Sequence, residues 1–83
     1  MEIKLPEGAT VGSIVEILWG ADAEGNIHSD QYYECTILSM RENAIDIGCD
    51  AMGAPIERST INLETALDDS NRAIEDIRTP RNS

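Results

Sequence analysis

Four short runs of alternating apolar and polar residues, each ended by turn chemistry, constrain this chain more than any other feature. They are SIVEILW at 13–19, YYECTILSM at 32–40, AIDIGC at 44–49 and IERSTINL at 56–63. Enrichment in Ile, Val, Tyr and Thr with a period of two predicts strands. In the second run Tyr33, Cys35 and Ile37 share one face, and Tyr32, Glu34 and Thr36 share the other. The third run places Ile45, Ile47 and Cys49 together, with Asp46 exposed between them. Arg41, Glu42 and Asn43 form a polar turn, so 32–49 reads as a β-hairpin. Gly53 and Pro55 mark the next turn, GADAEGNIHSDQ at 20–31 is a long connecting loop, and MEIKL at 1–5 suits a short edge strand. A meander this small must close on itself to hide its edges. The expected fold is mainly β, a small barrel of four to five antiparallel strands.

The period changes near the C-terminus. Leu63, Ala66, Leu67, Ile74 and Ile77 fall near one face of a helix, with Asn62 as N-cap and Pro80 beyond the end. Asp68, Asp69, Ser70 and Asn71 are poor helix-interior residues, so the helix breaks there or begins only at Ser70. Asp68 with Arg72, and Glu75 with Arg78, are spaced for side-chain pairs. The chain therefore divides into a barrel over 1–63 and an acidic C-terminal helix or frayed tail over 64–83.

Charge narrows the partners. The net charge is -10, from 16 acidic and 6 basic side chains, and residues 1–61 hold 11 of the acids with only 3 of the bases. Such a surface repels phosphate backbones and anionic lipid headgroups, which argues against direct nucleic-acid or membrane binding and for a basic protein or peptide. No apolar run is long enough to cross a bilayer, and residues 1–20 lack the features of a signal peptide. The expected location is intracellular, cytoplasmic or nuclear, and in that setting Cys35 and Cys49 would be thiols acting as small hydrophobes. His28, Cys35 and Cys49 share no metal-ligand spacing, so neither metal nor cofactor is expected. His28, Ser29 and Asp30 are only sequence neighbours, and adjacent carboxylates such as Asp68 and Asp69 point apart on a helix. No catalytic constellation emerges, and an enzyme is not expected.

The order VGSIVEILW, polar loop, YYECTIL, turn, AIDIGCDAMG, APIERSTINL resembles the Tudor and related SH3-like barrel domains. Val11, Gly12, Val15, Ile17 and Trp19 match the first strand, Tyr33, Cys35 and Ile37 the second, Ile45, Ile47, Asp50 and Gly53 the third with its turn, and Glu57 and Ile61 the fourth. The resemblance covers about residues 11–63. It implies an aromatic cage in which Trp19 and Tyr33 are two walls around a cationic side chain, with Asp50 as an acidic edge. Gly48, Cys49, Ala51 and Met52 stand where such cages usually carry further rings, so the implied site is a half-pocket. The functional expectation is a non-enzymatic interaction module that binds an Arg- or Lys-containing partner through Trp19, Tyr32, Tyr33, Asp50, Asp22 and Glu34. The alternative is a small acidic inhibitor or nucleic-acid mimic of phage type, blocking a basic groove on a host protein through dispersed carboxylates that include Asp22, Glu24, Asp30, Glu34, Asp46 and Asp50.

Overall fold

The computed structural model describes residues 2–20, 32–49 and 58–80. The fold is mainly β: β1 (Ile14–Trp19), β2 (Tyr32–Met40), β3 (Ala44–Gly48), β4 (Arg58–Asn62), β5 (Leu67–Asp68) and β6 (Ile74–Arg78). They form one antiparallel sheet in the order β5-β4-β3-β2-β1-β6, curled into a half-barrel. A bridge between Leu67 and Ala73, with the Ile74 amide donating to the Ala66 carbonyl at 2.8 Å, draws the two ends of the sheet together. The expected edges are thus partly hidden by curling.

Strand periodicity decides which side chains enter the core. Val15, Ile17 and Trp19 of β1 face inward with Tyr33, Cys35 and Ile37 of β2, Ile45 and Ile47 of β3, Ile61 of β4 and Ile74 and Ile77 of β6. Ile17, Ile37, Ile45, Ile47 and Ile61 are fully buried, each contributing about 1.5–3 kcal/mol relative to exposure. Residues 2–5 of MEIKL do not form the expected strand. The Ile3 amide donates to the Leu63 carbonyl at 2.8 Å, and Ile3, Leu5 and Ala9 pack on the core as an irregular segment. Two turns then follow, each closed by an i to i+3 hydrogen bond, with Gly8 (φ 84°) and Gly12 (φ 92°) at the third position, where a left-handed φ favours glycine.

The helix expected within 62–78 is not formed; among the described residues there is no helix. Asn62 does cap, its Oδ1 accepting the amides of Glu64 and Thr65 at 2.9 and 3.0 Å. However, the turn ends at Ala66, whose φ is 58°, a left-handed value that a right-handed helix cannot propagate. Beyond it, Ile74 and Ile77 keep a three-residue spacing and still both face inward. Ile17 pairs with Ile77 and Trp19 with Ile74, so two steps on β1 span three on β6 through a bulge. A spacing that imitates a helix is here a bulged strand.

The cysteines require a second correction. Cys35 and Cys49 are joined by a disulfide rather than standing as thiols, with Cα atoms 4.3 Å apart. Thr36 pairs with Gly48, which sets the two cysteines directly across the hairpin on its inner face.

Candidate binding surface

The aromatics separate onto the two faces of the sheet. Trp19 and Tyr33 are brought together as expected, edge to face with ring centroids 6.0 Å apart. They meet in the core, with relative exposures of 0% and 7%. Neither ring offers a face to a ligand in this conformation. Trp19 Nε1 donates to Asp68 Oδ2 at 3.1 Å, which satisfies its polar edge without solvent. Asp68 Oδ2 also accepts from Arg72 Nε at 2.9 Å, and Oδ1 accepts the amides of Ser70 and Arg72 at 2.9 and 2.8 Å. Both carboxylate oxygens are therefore engaged in holding the 68–72 turn against Trp19. The Asp68–Arg72 pair expected from spacing exists, although it braces a turn rather than a helix.

Tyr32 and Glu34 lie on the opposite, outward face, because they alternate with Tyr33 and Cys35 along β2. Register supplies their neighbours. Leu18 pairs with Tyr32 on one side and Asp76 on the other, while Glu16 pairs with Glu34 and Arg78. The Tyr32 hydroxyl donates to Asp76 Oδ2 at 2.5 Å, and the Arg78 guanidinium lies over the Tyr32 ring, 3.4 Å from its centroid. Arg78 Nε donates to Glu16 Oε1 at 2.8 Å. Asp76 holds the Tyr32 phenol protonated beyond its usual range, chiefly because the phenolic proton bonds the carboxylate, with burial and the Asp76 charge adding to the effect. The expected Glu75–Arg78 pair does not appear among the described ion pairs, in which Arg78 joins Glu16.

Glu16 opposite Glu34 is the feature that stability alone does not explain. Like charges directly across two strands destabilise a sheet. Arg78 offsets one of the two carboxylates, while Glu34 stays exposed. Glu16, Asp76 and Arg78 were not among the binding residues expected from sequence. Strand parity places Glu16 outward, but its neighbours from β6 come only with the tertiary pairing. Asp22 and Asp50, and likewise Glu24, His28, Asp30, Ala51 and Met52, lie outside the described residues.

A second cluster lies farther along the outer face. Asp46 accepts both guanidinium nitrogens of Arg41 at 3.1 Å and the hydroxyls of Ser39 and Thr60 at 2.6 Å each. Arg41 foremost, then Ser39 and Thr60, hold this carboxyl well below the usual carboxylate range. Its neighbours Arg58, Ser59, Thr60 and Asp69 line a shallow polar depression of about 270 Å³. Among the described residues no group of three or more His, Cys, Asp or Glu side chains could hold a metal ion, and no helix is long and apolar enough to cross a membrane. Comparison with family models, curated proteins and solved structures gives no match.

Proposed function

We propose that this protein is a non-enzymatic interaction module of SH3-like, Tudor-like type that holds an Arg- or Lys-containing segment of a partner on the outer face of β6, β1 and β2. The observation carrying the reading is the Glu16–Glu34 cross-strand pair, with Glu34 exposed next to Tyr32 on the outer face of β2. A partner cation between the two carboxylates would relieve their repulsion, as Arg78 already does on the far side of Glu16. That Arg78 lies over Tyr32 while bonding Glu16 also indicates which side chain this face accommodates: a flat, delocalised cation suits a ring and a carboxylate at once. Pairing of the last strand with the first, which curls a meander into a half-barrel, supports the SH3-like reading. In this scheme Trp19 and Tyr33 support the face from beneath rather than lining a pocket.

The test is a titration with a short Arg- and Lys-rich peptide. Glu34→Lys should abolish binding, whereas Trp19→Phe should leave the affinity of the folded protein unchanged. A second reading, the acidic inhibitor or nucleic-acid mimic, draws on the net charge of -10. It requires dispersed charge, so Glu34→Lys would weaken binding no more than reversing Glu2 or Glu64. That outcome would replace the first reading with the second.

A further inference from the structure

The outer face of β2 changes character beyond Glu34. Successive outward positions are Tyr32, Glu34, Thr36 and Leu38. The register shift between Ile37 and Ser39 keeps Leu38 outward above Gly48, where a Cβ would meet Leu38 Cδ1 at 3.2 Å. Ile14 pairs with Thr36, which makes it the diagonal neighbour of Leu38 on the same face. Ile14 is 49% exposed and Leu38 39%, and Val11 in the turn before β1 is exposed as well. Exposed aliphatic side chains clustered on one surface, rather than scattered, are an informative observation in a chain this acidic.

Charge narrows what covers them. A second copy of the chain would bring two rows of Glu16 and Glu34 together, and an anionic lipid surface would meet the same repulsion. We infer that the face takes a cationic amphipathic segment, with Arg or Lys at Glu16 and Glu34 and one large aliphatic side chain in the patch of Ile14 and Leu38. Glu34 and Leu38 are four strand positions apart, roughly 13 Å. An extended segment along β2 spans this with its basic residue at i and its aliphatic residue at i+4, and the even spacing points both side chains at the sheet. The inference rests on the acidic-face reading and adds a spacing and an apolar anchor to it.

Three synthetic peptides of equal charge test it in a calorimetric or fluorescence titration: one with Leu four residues after an Arg pair, one with Leu moved to the next position, and one with Leu replaced by Ser. The first should bind about tenfold tighter than the others, the effect of roughly one half-buried aliphatic side chain. Leu38→Ser and Ile14→Ser should each reduce that advantage while the far-UV spectrum stays native. Ile14→Ser is the cleaner variant, because Leu38 also covers Gly48. Equal affinity for all three peptides would overturn the anchor and leave the acidic-face reading standing; no binding by any would overturn both.

Discussion

Replacing Asp68 with Ala should cost about 3–5 kcal/mol, the range for removing one partner of a buried ion pair. The Asp68 side chain has no exposed surface, and it accepts four hydrogen bonds, from Trp19 Nε1, Arg72 Nε and the amides of Ser70 and Arg72. Hydrogen bonds to a charged group contribute about 1.5–3 kcal/mol each, but four on one carboxylate share its desolvation cost and do not add. After truncation the Arg72 side chain, 21% exposed, can recover water, whereas the indole N–H of fully buried Trp19 cannot. The loss therefore falls near the lower half of the range. Against a total stability of about 4–12 kcal/mol for a chain of this size, it is severe. Urea unfolding followed by far-UV circular dichroism, with the fluorescence of the only Trp as a second probe, measures it directly. In a Trp19→Phe background the same truncation should cost about 1 kcal/mol less, because the N–H that would be orphaned is already gone. A loss below about 1 kcal/mol for Asp68→Ala in the native background would refute the claim that this carboxylate locks the C-terminal turn to the core.

Three further outcomes follow from other parts of the structure. Glu34→Lys should stabilise the fold by about 0.2–1 kcal/mol, by turning a like-charge pair with Glu16 into an opposite pair, while removing peptide binding; a urea midpoint beside a titration separates the two effects. Reducing the Cys35–Cys49 disulfide, which links residues 14 apart in sequence, should lower stability by about 3 kcal/mol, read as a shift of the urea midpoint between oxidised protein and protein in dithiothreitol. Because the folded-state pKa of Asp46 is depressed, its contribution is complete above the unfolded value of about 3.9 and is lost as pH falls through the folded value. An Asp46→Asn variant should accordingly lose stability at neutral pH and show a flatter decline below about pH 4 than the native chain; parallel slopes would disprove the linkage.

Much of the sheet was legible in the residues. The runs at 13–19, 32–40, 44–49 and 56–63 became strands at 14–19, 32–40, 44–48 and 58–62, because alternation and turn residues are local properties that survive any arrangement of the rest. The faces of β2 were legible for the same reason, with Tyr33, Cys35 and Ile37 inward and Tyr32, Glu34 and Thr36 facing away. Of the candidate site, Glu34 and Tyr32 were singled out together, but Tyr33 was grouped with them although its alternation with Cys35 and Ile37 sets it on the opposite face.

What sequence by itself determined is the strand content of β1 to β4 and the side each residue takes within its own strand, since a period of two needs no knowledge of the neighbour. Tertiary structure decided everything that depends on register. The bulge at Leu38 shifts β2 against β3 by one position: Met40 pairs with Ile45, yet Ile37 pairs with Ile47, and only the shifted register brings Cys35 opposite Cys49. A second bulge lets Ile74 and Ile77 share a face, so a helix-like spacing resolves into a strand. The partner of Trp19 is 49 residues away, and that of Glu16 is 62 residues away. Such pairings follow from how the sheet curls to cover β1 with the last strand, because the free energy of closing the sheet outweighs the weak local preference of residues 62–78 for a helix.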